Sequence, residues 1–254
     1  MKPLLCFALL LLTFSLNAQA PTAVPIPKEP HHHLVLENDY VRVFRVSVPA
    51  HEATLLHQHD VPYLYVSLGP ANVINAVQGK PETHLVMADG QLGYSPGHFA
   101  HIARNESDLP FNNVTIELLK PQDEPHNRCA KIIDAPLNAC PQSELNRDAI
   151  AMRSMRVPVP VFETDELLIE AHLVEANGTA WTKTAGPEPA RLLISLGDVK
   201  LKVGSSDQMW TNMHPGDDIW IQPGAHLSVV NQSQNTNARF LVFAFKDSAI
   251  TKKP

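Results

Sequence analysis

Residues 90–105 read GQLGYSPGHFAHIARN, and residues 216–231 read GDDIWIQPGAHLSVVN. Both stretches begin with glycine and end with asparagine, and the second follows the first by 126 residues. The tripeptide Ser-Leu-Gly also occurs twice, at 67–69 and 195–197, a shift of 128 residues. Self-similarity at a nearly constant distance indicates a duplicated structural unit. The chain therefore contains two copies of one unit.

Each copy is predicted to form one domain, the first near residues 31–122 and the second near residues 157–249. Between them lies a linker, residues 123–156, that contains Cys129 and Cys140. In an oxidising compartment these two cysteines would form a disulfide that closes a loop. Two inert thiols or a redox pair are the alternatives.

The pattern within each copy is that of β-strands. Residues 114–118 and 199–203 alternate apolar and polar side chains, which predicts half-buried strands. The segments 192–196 and 240–245 are largely apolar over the length of a strand. Glycine, proline, asparagine and aspartate interrupt these segments about every ten residues. Many short, evenly spaced antiparallel strands predict a β-sandwich or a jelly roll.

The composition excludes several classes of protein. The 254 residues include 20 basic and 26 acidic side chains, a net charge of −6, without a long run of either sign. Nucleic acids and acidic membrane surfaces bind clustered Lys and Arg, so neither is predicted as a partner. The 22 prolines disfavour long helices. The 13 histidines raise the question of a metal site, which their spacing has to answer.

Three histidines have the spacing of a metal site. His57 and His59 flank Gln58, and residues two apart in a strand project from the same face, roughly 6.5–7 Å apart. A third ligand from a neighbouring strand, such as His101, would complete half of a coordination shell and leave positions for water or substrate. The spacing predicts a mononuclear metal site, with buried structural histidines as the alternative.

The residues around His101 resemble the second motif of the cupin superfamily, a family of small jelly-roll barrels. That motif reads Gly, five residues, Pro-x-Gly, two residues, His, three residues, Asn. Gly90, Pro96, His101 and Asn105 keep every spacing, and His98 stands where the second glycine is usual. The resemblance implies an all-β fold of two jelly-roll barrels (double-stranded β-helices) in tandem.

The first cupin motif is matched mainly in its histidines. By resemblance, His57, His59 and His101 would be the metal ligands of the first barrel, but Tyr63 or Leu64 stands where the family has glutamate. Tyr63 is an even number of residues from His57 and His59, so in an extended strand it would project from the same face, and its phenol is expected to point into the barrel. It would act as a hydrogen-bond donor, a rarer oxygen ligand or a wall of the pocket. Tyr63 is therefore the candidate catalytic residue.

Three neutral imidazoles would leave the 2+ charge of a metal ion uncompensated, unless Asp60 reaches the ion through a bulge at Pro62. Such a site favours an anionic substrate or hydroxide, and Fe, Zn, Ni, Co or Cu over Mn. The predicted cofactor is one divalent metal ion of unidentified element. The predicted partner is a small-molecule ligand or substrate.

The second copy lacks these ligands. Gln222 stands in the proline position of the second motif, Gly224 keeps its glycine, and Leu227 replaces its histidine. Residues 182–189, opposite residues 57–59, contain no histidine. We predict that the second barrel holds no metal and serves stability, packing against the first barrel, or the binding of an organic molecule.

Further histidines and one arginine lie near these motifs. His98 and Arg104 flank the second-motif ligand and are candidates for the lining of the pocket. His31, His32 and His33 follow a proline-rich segment. They are expected to form a solvated segment that precedes the first domain.

Residues 1–20 have the features of a secretory signal peptide, namely Lys2, an apolar run, and Ala-Gln-Ala at 18–20. The apolar run is short for a bilayer span, which takes about 20 residues; a retained anchor is the alternative. The sequence thus predicts a periplasmic or secreted protein without a membrane partner after signal cleavage.

Two functional hypotheses follow from these features. In the first, an exported two-barrel cupin uses one divalent metal ion in its N-terminal barrel for dioxygenase- or isomerase-like chemistry on a small anionic organic substrate. In the second, the protein is a non-catalytic cupin that binds a sugar-like molecule, with a structural metal or none. The sequence leaves a homodimer open.

Overall fold

The computed structural model describes residues 22–127, 158–182, 188–204 and 209–246. The predicted signal peptide, both linker cysteines and most of the linker lie outside these residues. Within the described ranges, no helix is long and apolar enough to cross a membrane. The described chain forms β-strands joined by turns, with a 3-10 turn at Ile26–Lys28.

Strands β1 to β10 belong to the first barrel, and β11 to β20 belong to the second. The strands of the first barrel are β1 Val24–Pro25, β2 His32–Glu37, β3 Val41–Val48, β4 His57–His59, β5 Tyr63–Ser67, β6 Ala71–Val77, β7 Thr83–Met87, β8 Leu92–Ser95, β9 Phe99–Asn105 and β10 Phe111–Leu118. The strands of the second are β11 His126–Asn127, β12 Val159–Glu163, β13 Leu167–Val174, β14 Thr179–Thr182, β15 Ala190–Ser195, β16 Val199–Val203, β17 Thr211–Met213, β18 Asp218–Ile221, β19 Leu227–Val230 and β20 Ala238–Phe245.

The described strands of each barrel form two sheets. In the first barrel they are ordered β1-β4-β9-β6-β7 and β2-β3-β10-β5-β8, and in the second β11-β12-β13-β20-β15-β18 and β14-β19-β16-β17. Neighbouring strands pair mostly antiparallel, as β10 does with β3 and β5. The all-β fold of two tandem jelly-roll barrels is confirmed.

Strand β1 extends the first barrel towards the N-terminus, ahead of residue 31, where the repeat predicts the domain to begin. It pairs in parallel with β4, Val24 opposite His57. A strand of two residues has no periodicity that a sequence pattern can show. The domain boundaries near 31–122 and 157–249 otherwise stay a prediction.

The duplication extends to individual hydrogen bonds. Asn105 and Asn231 are both buried, and each donates its side-chain N–H groups to backbone carbonyls of its own barrel. Through Oδ1, each accepts the backbone N–H of the serine two residues later. Because a buried amide has to be satisfied in this way, both asparagines close the turn after their strand.

The two barrels pack back to back through one shared apolar core. Val114, Ile116 and Leu118 of β10 belong to the same buried cluster as Leu192 and Ile194 of β15. Every one of these side chains is almost fully excluded from solvent. Burial of this apolar face in both barrels favours their association, because the hydrophobic effect scales with the apolar area removed from water.

Strand β10 differs in one respect from the prediction. Its alternating pattern predicted a half-buried strand, whereas Thr115 and Glu117 on its polar face are also buried. The reason is that the apolar face packs against the other barrel, so the polar face points to the interior of the first. Alternation separates two faces but does not tell which one meets solvent.

The same contact between the barrels occurs twice, once in each direction. A Cβ at Gly90 would lie 3.1 Å from Cδ1 of Leu196, and a Cβ at Gly216 would lie 2.6 Å from Cδ1 of Leu68. The repeat relates the two glycines and the two leucines to each other. At both positions, the turn approaches the opposite barrel so closely that any side chain would displace the leucine.

Candidate metal centre

Strands β4 and β9 bring the three predicted ligands together. His57 lies directly opposite His101 in the antiparallel ladder, and His59 is two residues along the same face of β4. All three side chains are buried, and one nitrogen from each lies within 4.8 Å of the other two. The Nε2 atoms of His59 and His101 are 3.2 Å apart. Among the described residues, this is the only such group of three or more potential ligands.

Hydrogen bonds fix the orientation of two of the imidazoles. Nδ1 of His57 donates to the backbone carbonyl of Leu55 at 2.9 Å, and Nδ1 of His101 donates to Oδ1 of Asn75 at 2.6 Å. A neutral imidazole that donates through Nδ1 carries its lone pair on Nε2. Both Nε2 atoms therefore present the lone pair that a metal ion requires.

The cluster fits a metal ion because it contains a buried acceptor without a partner. Nε2 of His57 is fully enclosed, and it makes no hydrogen bond to any described residue. Such an atom is costly in an apolar interior unless something binds it. Three imidazole nitrogens suit a divalent transition ion such as Fe, Zn, Ni, Co or Cu.

The surroundings keep the three imidazoles neutral. Burial lowers the pKa of His57 to about 4, with a further contribution from the neighbouring His32. Burial also lowers the pKa values of His59 and His101 well below the usual histidine range, and the other imidazoles of the cluster add to this effect. Neutral imidazole is the form that binds metal.

Acid is expected to destabilise the metal-free protein between pH 6.5, the ordinary histidine pKa, and about pH 4, the pKa of folded His57. In this window the unfolded chain binds a proton at His57 that the folded chain does not bind. The free energy of unfolding therefore decreases as the pH is lowered. His57 alone contributes about 1.4 kcal/mol per pH unit, and His59 and His101 act in the same direction. Denaturant unfolding of metal-free protein at pH 7, 6 and 5 measures the slope. A His57→Gln variant should have a shallower slope, and equal slopes would contradict the prediction.

Tyr63 lies beside the cluster as a neighbour of His59. Its ring stacks on the imidazole of His59, with centroids 3.8 Å apart and planes 17° from parallel. Burial raises the pKa of Tyr63, and its hydroxyl is hydrogen-bonded to Ser95. The phenol thus fixes the ring of His59 and lines the pocket. Asp60 is exposed, and it does not belong to the group of potential ligands.

A buried pair from the N-terminal segment, Glu29 and His32, was missed by the sequence analysis. Oε2 of Glu29 accepts Nδ1 of His32 at 2.6 Å, and the ring of His32 lies 4.8 Å from that of His57. Burial alone would raise the pKa of Glu29, but the hydrogen bond and charge of His32 and the N–H groups of Leu55 and His31 lower it on balance. The carboxylate thus orients an imidazole next to the cluster.

The prediction that residues 31–33 form a solvated segment before the first domain is therefore wrong for His32. His33 is exposed and His31 is partly exposed, whereas His32 is buried. The short β1 and the 3-10 turn fold the segment across β4, which encloses His32. In the sequence, neither element has a detectable pattern, so no signal distinguished His32 from its neighbours.

The three histidines line an open cavity of about 370 Å³ in the first barrel. His32, Tyr63 and His98 also line it, whereas Arg104 does not. Arg104 is partly exposed and pairs with the acidic residues Glu82 and Glu106. The remaining lining residues are mostly apolar, with a few polar groups among them. They are Val46, Val48, Thr54, Tyr65, Val73, Asn75, Val77, Lys80, Pro81, Thr83, Leu85, Met87, Ser95, Pro96, Gly97, Phe99, Ala103, Phe111, Asn113 and Thr115.

The second barrel has different residues at the corresponding positions. Thr182 pairs with Leu227 as His57 pairs with His101. Arg191 occupies the position of Tyr63, at a shift of 128 residues, and its guanidinium forms a buried ion pair with Glu188 at 2.8 Å. Apolar side chains such as Leu227 fill the adjoining core. In the described part of this barrel, no group of three potential ligands occurs.

Comparisons with known proteins support the fold. No family model and no curated protein matches the chain. Among solved structures, a variant of salicylate 1,2-dioxygenase from Pseudoaminobacter salicylatoxidans in complex with gentisate superposes with a TM-score of 0.59 at 12% identity, over 84% of this chain and 73% of that one. AerE from Microcystis aeruginosa superposes with a TM-score of 0.54 at 8% identity, over 86% of this chain and 99% of that one. At these identities, the similarity shows the two-barrel cupin fold alone.

Proposed function

We propose that this chain, which has the two-barrel cupin fold, is a metal-dependent enzyme of the oxygen-using type. Its substrate would be a small organic anion bound in the cavity of the first barrel. The observation that carries the proposal is the convergence of three buried, neutral imidazoles, with Nε2 of His57 lacking a partner among the described residues. The similarity in fold to a salicylate 1,2-dioxygenase in complex with gentisate supports this class of chemistry.

The cavity suits a small, largely apolar molecule that carries a negative charge. Its volume of about 370 Å³ is at the lower end of the range for small-molecule sites. Valine, leucine, methionine and phenylalanine form much of its wall, which favours a hydrocarbon or aromatic body. A divalent ion held by three neutral ligands keeps its net charge, and this charge attracts an anion.

The bound metal ion would supply a Lewis-acidic, oxygen-binding centre at His57, His59 and His101. Of the other residues, Tyr63 holds the ring of His59 in place by stacking. Glu29 accepts a hydrogen bond from Nδ1 of His32 and so fixes the orientation of this ring at the wall of the cavity. The apolar walls exclude water from the reacting groups.

Oxygen uptake by the metal-loaded protein tests the proposal. Metal-free protein would be loaded separately with Fe(II), Co(II), Ni(II), Cu(II), Zn(II) and Mn(II), and incubated with salicylate, gentisate, benzoate and aliphatic carboxylates. We expect oxygen consumption with a redox-active metal and at least one aromatic carboxylate, matched by product in a one-to-one ratio. In His59→Ala, the rate should fall at least about 100-fold.

The same samples separate catalysis from simple binding. The absence of oxygen uptake and of product with every metal would contradict the proposed chemistry. If a ligand then raised the melting temperature equally with and without metal, the protein would be a binding cupin, the second hypothesis of the sequence analysis. His172→Ala, which removes a buried histidine of the second barrel, is the matched control and should retain activity.

We also propose that the mature protein is exported, on the basis of the signal-like residues 1–20. Fractionation of expressing cells, with mass spectrometry of the purified N-terminus, tests this localisation. A cytosolic protein that retains Met1 or Lys2 would contradict it.

A further inference from the structure

His98 has a backbone conformation that residues with a Cβ adopt rarely. Its φ is +62°, and the preceding Gly97 has a φ of +72°. For residues with a Cβ, this left-handed region costs free energy, which glycine avoids. Residues held in such conformations cluster at functional sites. The presence of histidine here therefore needs a compensating reason.

The second barrel has glycine at the position that corresponds to His98. Gly224, which follows His98 by 126 residues, has a φ of +77°. Its N–H donates to the carbonyl of Glu188 at 2.8 Å, as that of His98 donates to the carbonyl of His59 at 2.6 Å. A turn with the corresponding hydrogen bond is thus built with glycine at this position, after Pro223 instead of a left-handed Gly97, and the described residues of that barrel contain no group of three potential ligands.

The side chain of His98 makes no contact with the described residues that would explain its presence. It is exposed, and within the described residues it forms no side-chain hydrogen bond, ion pair or ring contact. It does line the cavity, as does Lys80 of the β6–β7 turn, and because both residues are exposed we place them where the cavity opens to solvent. Lys80 likewise has no side-chain partner among the described residues. Both groups can donate hydrogen bonds.

We propose that His98 is a substrate-contacting residue, which with Lys80 binds the anionic group of the substrate at the mouth of the cavity. This inference rests on the proposed function and specifies its substrate class as small organic carboxylates. An imidazole N–H and an ammonium are complementary to a carboxylate. Binding of a ligand at the mouth of the cavity would offset the free-energy cost of the left-handed backbone at His98.

Binding of salicylate to Zn(II)-loaded protein, followed by isothermal titration calorimetry, tests the inference without oxygen chemistry. We expect His98→Gly to weaken binding about tenfold or more, because a charge-assisted hydrogen bond is lost, while the metal content is unchanged. The same variant should unfold at a higher denaturant concentration, since glycine relieves the strain. Lys80→Met should also weaken binding without changing the metal content.

The matched control is His51→Gly. His51 also has a positive φ, +60°, and is exposed, but it does not line the cavity. The His51→Gly variant should therefore bind salicylate with the affinity of the parent protein. Equal affinities of His98→Gly and the parent protein would overturn the inference, as would destabilisation of His98→Gly or a parent protein that binds no carboxylate. Intact carboxylate binding without oxygen uptake would count against the proposed chemistry alone.

Discussion

Replacing His101 with alanine is expected to reduce bound divalent metal from about one ion per chain to less than about a tenth. The two remaining imidazoles come from the three-residue strand β4, and two neutral ligands hold an ion poorly against water. Nδ1 of His101 is already fixed by Asn75, so its Nε2 is a preorganised ligand and its loss is not compensated by rearrangement. Elemental analysis after dialysis of metal-loaded protein at pH 7 measures the effect.

The control for this variant is His172→Ala. His172 is also buried, and it stacks on Phe240 in the second barrel, 4.6 Å between centroids. It lies outside the cluster of potential ligands. Its replacement should lower stability but leave about one metal ion per chain. A parent protein that retains no metal, or a His101→Ala variant that retains as much as the parent, would contradict the assignment of the site.

Replacing Gly97 with alanine is expected to lower the free energy of unfolding by about 3–5 kcal/mol. A Cβ at this position would lie 2.1 Å from the carbonyl oxygen and 2.6 Å from the carbonyl carbon of Val61. These are backbone atoms, so they cannot move aside as the end of a side chain can. The φ of +72° adds strain for any residue with a Cβ. Denaturant unfolding followed by circular dichroism measures the loss.

Gly79→Ala separates strain from collision. Gly79 has nearly the same φ, +76°, but a Cβ there would meet no atom within 4 Å. Its replacement should therefore cost only about 1–2 kcal/mol. If Gly97→Ala accumulates only as insoluble protein while Gly79→Ala folds, the prediction is supported. Similar losses in the two variants would show that the contact with Val61 is not as tight as the structure indicates.

Much of the fold could be predicted because its signals repeat along the chain. The shift of 126 residues between Gly90 and Gly216 indicated the duplication, and the structure shows both turns in the same role against the opposite barrel. The half-burial predicted for β10 failed because it depended on what covers the strand. Burial of both faces results from packing of the second barrel, to which no pattern within β10 refers.

Part of the candidate site could likewise be predicted from the sequence, and part could not. The alternation of side chains along a strand placed His57 and His59 on one face, and the pairing of β4 with β9 brought His101 beside them. Glu29 and His32 were not anticipated, because their burial depends on a segment folding across the barrel. Oε1 of Glu29 accepts the N–H of Leu55, a residue 26 positions away.

The sequence by itself determined properties that are local or repeated: the strand parity of His57 and His59, the turns of the second motif, and the duplication. Only the tertiary structure decided which faces are buried, that Glu29 orients His32, and that the side chain of His98 has no partner among the described residues. The physical reason is the separation along the chain between the groups that interact. Parity and turn conformation depend on the few covalent bonds between neighbouring residues, whereas burial and hydrogen-bond partners depend on segments that are distant in the chain and close only after folding.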